Sequence, residues 1–289
     1  MLSLERVSMG IIDGKRVASQ IKENIVAEVR SLKQKTGKTP GLAVVLVGDD
    51  HASAVYVRTK NKTCQNLGFQ SFENILPANT KESTLLGLID ELNKDERVSG
   101  ILVQLPLPSH ISSYKILEAI NPQKDVDGFH LENIGRLVTG NATFKPCTPE
   151  GIIQLLDHYK VDIEGKNAVV LGRSNIVGKP ISLLLLERNA TVTICHSRTK
   201  NLSSITKSAD ILIAAIGKPN FVTSDMVKND VVVIDVGINR VNDKLIGDVD
   251  YQSVSKKASL ITPVPGGVGP MTIAVLMANT LQAFKNLCH

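Results

Sequence analysis

Apolar positions along the chain follow two rhythms. From Asp13 onward Val17, Ile21, Ile25, Val29 and Leu32 recur at helical spacing, and Gly37 with Pro40 closes the segment. LAVVLVG, residues 42–48, is a continuous apolar run of strand length. The grammar then repeats. Residues 53–67 have helical spacing with Gly68 as their stop, a second helix is expected near 81–94, and GILVQLPLP at 100–108 reads as a strand broken by two prolines. Residues 121–150 are richer in Pro, Gly, Asp and Lys, and a domain boundary is placed near 147–150. Beyond it the spacing predicts a helix at 149–158, strands at 167–171, 191–195, 211–216 and 231–236, and a last helix at 270–286 with Pro270 at its first position. Helix alternating with strand predicts an α/β chain whose parallel sheets are covered on both faces. No repeat of 20–50 residues interrupts this reading.

Composition narrows the class. The 289 residues are 43% hydrophobic and 21% charged with no low-complexity tract, which is globular, and the length suits one large or two medium domains. The net charge of +5 is scattered, with no dense Lys/Arg run carrying interleaved aromatics, so a nucleic-acid partner is not expected, whereas an anionic small substrate suits the surface. Cys64, Cys147, Cys195 and Cys288 lie far apart without a C-x-x-C pair or a His/Cys cluster, and read as reduced thiols with no metal centre. The opening MLSLERVSMG has the pattern of neither a secretory signal nor a transit peptide, and the longest apolar run, Ile181–Leu186, is far below the ~20 residues of a membrane span. A soluble cytoplasmic protein with no membrane partner is expected.

The stretch VVLGRSNIVGKPISLLLLERNATVTICHSR, residues 169–198, has the length of a βαβ unit. Its glycines fall as G-x-x-x-x-x-G, Gly172 and Gly178, and Pro180 stands where a helix would begin. A phosphate at that helix start would meet unpaired N–H groups and the positive end of the helix dipole. Alternatively the two glycines merely end a strand and permit close packing. Where an NAD site usually places an acid after the second strand, this chain has His196-Ser197-Arg198; Arg173, Ser197 and Arg198 are donors suited to a 2′-phosphate, which favours NADP over NAD.

Four other stretches carry candidate chemistry. Tyr56 and Lys60 share one helix face with Cys64 and Leu67; such a lysine either snorkels outward or sits in a cleft where desolvation eases proton transfer. Gln104 ends an apolar strand, at the edge where ligands bind open α/β sheets, or it is a satisfied sheet-end amide. Lys124, Asp125 and Asp127 beside a glycine are explained cheaply by turn chemistry, and a paired-carboxylate acid/base role would need a geometry that spacing does not give. TPVPGGVGPMT, residues 262–272, is either a plain loop or a backbone wall against a flat ligand. His51, His110, His130 and His196 read as surface or turn residues.

Taken together, YVRTK, GILVQLPLP, KDVDGFH, PCTPEG, GRSNIVGKP, TVTICHSRT, DVGINR and TPVPGGVGPMT, in this order from about Asp13 to Phe284, resemble the bifunctional methylenetetrahydrofolate dehydrogenase/cyclohydrolase family. The resemblance implies a cytoplasmic homodimer of one-carbon and purine metabolism. Each chain would have an N-terminal catalytic domain (1–148, joined by the helix 270–289), a Rossmann-type NADP domain (149–269) and a cleft between them. It implies oxidation of 5,10-methylenetetrahydrofolate with NADP and hydrolysis of the methenyl product to 10-formyltetrahydrofolate. Carried over by position, Lys60 would be the catalytic lysine, Tyr56 would stack on or orient the folate, Gln104 would assist Lys60 and Asp127 would bind the pterin. Val103, Leu105, Pro265, Gly266 and Gly267 would complete the folate site. Gly172, Arg173 and Ser174 would line the cofactor, with Ser197 near the 2′-phosphate and Ile238 beside the nicotinamide half; no metal is implied. GDDHAS departs mildly from the family's loop. An NADP-dependent dehydrogenase of a small acid would leave Tyr56, Lys60, Gln104 and PGGVGP without a joint role, and a dinucleotide sensor without chemistry would be expected to lack Lys60, which is present.

Overall fold

A computed structural model describes residues 10–242 and 244–287. Cys288 and the leader reading of residues 1–9 lie outside them. The described residues divide into two compact units, one of 19–147 with 273–287, the other of 10–18 with 148–272. We call them the lysine unit and the loop unit.

The lysine unit is built on a three-stranded parallel sheet. Strand β1 (Gly10–Ile11) belongs to the other unit; helix α1 (Gly14–Thr36) then leads to β2 (Gly41–Val47), α2 (His51–Asn66), β3 (Gln70–Leu76), α3 (Glu82–Lys94) and β4 (Gly100–Val103). The order is β3-β2-β4. Because side chains alternate along a strand, β2 sends Leu42, Val44 and Leu46 to one core and Ala43, Val45 and Val47 to the other. The first core takes Ile25 and Val29 of α1, Val57 and Cys64 of α2, and Val275, Leu276 and Leu281 of the final helix. The second takes Leu85 and Ile89 of α3 and Ile116 of α4 (Ser113–Ala119). Each fully buried leucine or isoleucine contributes about 2 kcal/mol. A continuous apolar run is what a strand covered on both faces requires. Helix α5 (Leu131–Val138) follows.

The loop unit carries a six-stranded sheet. After α6 (Cys147–His158) come β5 (Asn167–Leu171), α7 (Gly178–Glu187), β6 (Thr191–Cys195), α8 (Leu202–Lys207), β7 (Ile211–Ala214) and β8 (Val232–Asp235). A hairpin of β9 (Asn239–Val241) and β10 (Lys244–Ile246), helix α9 (Tyr251–Val254) and β11 (Leu260–Ile261) precede α10 (Val268–Leu287). The order β1-β11-β8-β7-β5-β6 is parallel throughout. It reverses beside β5, and ligands of open α/β sheets bind at such a reversal.

The fold departs from the pattern reading in identifiable places. Strand β3 was not expected, because as an edge strand it leaves alternate residues in water and lacks a continuous apolar run. β1 pairs with β11, and residues 10–18 group with the loop unit rather than with 19–147. β4 ends at Val103, ahead of the cis Leu105–Pro106 bond. α10 begins at Val268, which makes Pro270 its third residue instead of its first; a proline costs nothing there, since the first-turn N–H groups lack helical partners anyway.

Candidate active site

In the lysine unit, α2 turns its Tyr56, Lys60, Cys64 and Leu67 stripe toward the sheet. Asp50 starts the helix by accepting from Ser53 N at 2.7 Å, and Gly68, at φ +81°, ends it. Lys60 is only 7% exposed. Its Nζ donates to Gln104 Oε1 at 2.9 Å. Gln104 sits one residue past β4; its backbone N donates to Val45 O at 2.8 Å and its Nε2 to Leu105 O at 2.8 Å, which aims the side-chain oxygen at the lysine. Val103 is buried and Leu105 half-buried on either side. Tyr56 is half-buried one helical turn before Lys60, and burial raises its phenol.

The KDVDG turn supplies the acid. Lys124 Nζ donates to the carbonyls of Leu92, Asn93 and Asp95 at 3.2, 2.8 and 2.9 Å, capping the end of α3, and burial lowers its ammonium. Asp125 accepts from His130 N and Asn133 Nδ2, both at 2.8 Å. Turn chemistry therefore accounts for these two. Asp127 is different: burial lifts its carboxyl, the Lys60 charge opposes the rise, and Asp125 adds to it. Cys147 hydrogen-bonds Asp127 and donates to Val126 O at 3.3 Å; its thiol is pushed well up by burial and by the Asp127 charge, so it is inert. Asn279 of α10 fixes the same turn through Val126 O at 2.8 Å and Lys145 O at 3.1 Å. Lys60, Gln104 and Asp127 are thus brought to one place in one unit. The pattern carries no sign of Cys147 or Asn279 there, since both reach it from far along the chain.

In the loop unit a cavity of about 320 Å³ is lined by Gly172, Arg173, Ser174, His196, Ser197 and Lys218, among others. Gly172, at φ +120°, has no room for a side chain: a Cβ would lie 2.2 Å from Ala215 O. A Cβ on Gly178 would lie 2.3 Å from Gly172 O. Both glycines therefore serve close packing. The phosphate expected on the first amides of α7 meets competition, because Ser174 Oγ already accepts from Val177 N at 3.1 Å and Gly178 N at 3.2 Å, and Ser174 O accepts from Lys179 N at 3.0 Å. An anion is met instead by the cavity's side chains, Arg173, Ser197 and Lys218, with no carboxylate among the lining residues. Arg198 is outside the lining; its N donates to His196 Nδ1 at 3.1 Å. Lys218 and His196 were missed as cavity residues, yet Lys218 follows an apolar strand and a glycine just as Arg173 does, and that shared grammar would have found it. Ile238 is 43% exposed on the loop after β8. Pro265, Gly266 and Gly267 lie in this unit, ahead of α10, where Gly266 O accepts from Lys15 N at 3.1 Å.

Two family models cover most of the chain, the tetrahydrofolate dehydrogenase/cyclohydrolase catalytic domain at residues 12–127 and its NAD(P)-binding domain at 146–288. The chain belongs to this family. A bifunctional protein FolD from Campylobacter hominis is 58% identical, across 96% of this chain and 98% of its own. The crystal structure of a bifunctional FolD methylenetetrahydrofolate dehydrogenase/cyclohydrolase from Campylobacter jejuni superposes with a TM-score of 0.94 at 52% identity, covering 96% of this chain and 98% of that one. A Trypanosoma brucei FolD, solved with NADP and an inhibitor, gives 0.93 at 40% identity, covering 96% and 97%. As a member of the tetrahydrofolate dehydrogenase/cyclohydrolase family, the chain is an enzyme with both activities: it oxidises 5,10-methylenetetrahydrofolate and hydrolyses the methenyl product. Its cofactor domain is of the NAD(P)-binding type, with the reversed parallel sheet of a Rossmann-like fold. Among the described residues no helix is long and apolar enough to cross a membrane, and no cluster of His, Cys, Asp or Glu has metal-binding geometry.

Proposed function

We propose that Lys60 is the proton carrier of the cyclohydrolase step, with Gln104 orienting it, Asp127 binding the pterin and Tyr56 stacking on or orienting the folate. Val103 and Leu105 complete the folate contacts of the lysine unit. The observation that carries this reading is the 2.9 Å bond from a buried Lys60 Nζ to Gln104 Oε1 beside Asp127.

Hydride transfer from the bridging carbon leaves a cation shared by two nitrogens and needs alignment rather than a base. NADP, when bound, is the hydride acceptor. Hydrolysis moves protons. Water adds to the cationic carbon and gives up one proton, the bond from carbon to N5 breaks, and N5 takes up the second proton, leaving the formyl group on N10. The Lys60 amine takes the first proton; as the bond to N5 breaks it passes a proton to N5 and receives the one the carbinol hydroxyl gives up in becoming the carbonyl, and the one proton left over goes to solvent. Lys60→Met is expected to lower cyclohydrolase turnover by at least ~1,000-fold, the range of a positioned acid/base, with hydride transfer reduced less. Full retention of hydrolysis, followed as loss of methenyl absorbance, ends the assignment.

The cofactor is NADP. Arg173, Ser197 and Lys218, with no acid in the cavity, are the donor set a 2′-phosphate requires, and the T. brucei relative was solved with NADP. Gly172 and Ser174 line the same cavity, and Ile238 borders the nicotinamide half. The resemblance supports a homodimer in the cytoplasm; sedimentation of the purified protein tests the dimer.

A further inference from the structure

Two buried carboxylates take no part in the chemistry above. Asp248 is 0% exposed, and its side chain accepts from three successive backbone amides, Ile216 N at 2.6 Å, Gly217 N at 2.9 Å and Lys218 N at 2.9 Å, and from Asn239 Nδ2 at 2.9 Å. Asp235, at the end of β8, accepts from Asp248 N at 2.9 Å, Val249 N at 3.0 Å and Gly237 N at 3.0 Å. No ion pair among the described residues reaches either group. Two carboxyl groups are held in the interior by amides alone.

The surrounding chain is shaped to admit them. A Cβ on Gly247 would lie 1.8 Å from Asp235 Oδ2, and one on Gly237 would lie 2.3 Å from Asp248 Oδ1. Asp235 thus locks the Asp248 backbone, and Asp248 locks the turn after β7. That turn matters because Ile216 and Lys218 line the cavity together with Arg173, Ser174 and Ser197. Asp248 also reaches, through Asn239, the loop that bears Ile238. A hydrophobic or neutral residue would suffice to fill this space; an unpaired carboxylate is needed only to gather N–H groups into a fixed arc. Burial, followed by the Asp248 charge, holds Asp235 up to about 6 against the pull of its three amides.

We propose that Asp248 is a positioning residue for the dinucleotide: it sets the Ile216–Lys218 wall of the cofactor cavity, with Asp235 as its own anchor. The proposal rests on the assignment of that cavity to NADP. Asp248→Asn keeps the shape but aims an amide hydrogen at backbone donors. It is expected to raise the KM for NADP about tenfold or more, with kcat at saturating NADP within threefold, since misplacement of a binding wall is costly. Cyclohydrolase activity, which uses no dinucleotide, stays within twofold. A structural role alone would lower both activities together, and that outcome, or an unchanged KM, overturns the proposal. Should Asp248→Asn not fold, Asn239→Ala removes one of the four donors without touching the carboxylate, and a threefold rise in KM for NADP decides the same question. Arg173→Ala separates the two possible failures. If it leaves the KM for NADP unchanged, the cavity is not the dinucleotide's and the proposal falls with that reading. If it raises KM while Asp248→Asn does not, positioning alone is refuted.

Discussion

The lysine unit and the loop unit build their sites by opposite means. The first presents side chains: Lys60, Gln104 and Asp127 are brought together from a helix, a strand end and a turn, each held by local hydrogen bonds. The second presents a cavity whose walls are backbone turns, held close by Gly172 and Gly178 and drawn into place by Asp248. Chemistry that moves protons needs functional groups, whereas holding a long anionic cofactor needs shape and donors. The two units should accordingly respond differently to substitution. A side-chain site fails when a functional atom is removed; a site shaped by packed turns fails also when an atom is added.

The sharpest test of that contrast adds one carbon. In Gly172→Ala the new methyl collides with Ala215 O at a backbone angle alanine avoids, so the dehydrogenase kcat/KM for NADP is expected to fall by ~100-fold or more, with the cyclohydrolase within threefold. Equal loss of both activities in steady-state assays would break the comparison. A smaller effect is expected from Ser197→Asp, which restores the acid that NAD sites carry and opposes a 2′-phosphate. The KM for NADP should rise about tenfold, worth ~1.4 kcal/mol, while that for NAD holds or improves. Parallel changes with the two cofactors would place the 2′-phosphate elsewhere.

The least effect concerns acid stability of the lysine unit. Asp95 is held down to about 2, first by the Arg97 side chain and then by the Arg97 backbone. A depressed carboxylate stabilises above its unfolded value of ~3.9, and that contribution disappears as pH falls toward 2. Arg97 is mostly in water, so Asp95→Asn should lower Tm by only about 2 °C at pH 7. The difference from the parent should shrink below pH 4; a gap that is constant from pH 7 to pH 3 would rule out the pairing as its cause.

How much of this was legible beforehand differs between elements for physical reasons. β2, β5 and β7 are continuous apolar runs because both faces are covered, and such runs announce themselves. β3 and the two-residue strands β1 and β11 do not, since an edge or a short pairing is decided by the neighbouring strand rather than by its own residues. The same holds for the sites. Tyr56 and Lys60 were readable from helical spacing, and Gln104 from its place at a strand end. The roles of Cys147, Asn279 and Asp248 were not readable, because each acts on residues brought near only by the completed fold. Gly172 and Gly178 were noticed, but their spacing left phosphate binding and close packing open, and the contacts at 2.2 and 2.3 Å show packing to be their first task.

Helix α10 carries a consequence for biosynthesis. Val275, Leu276, Met277, Leu281 and Ala283 fill the same core as Ile25, Val29 and Leu42, from almost the opposite end of the sequence. A ribosome that has made residues 19–147 has therefore made a domain with an open side, and its apolar interior must wait through the synthesis of the entire loop unit before its last wall arrives. Excising residues 19–147 as a minimal hydrolase should accordingly give an aggregating fragment, and supplying the missing helix in trans is the natural means of rescuing it.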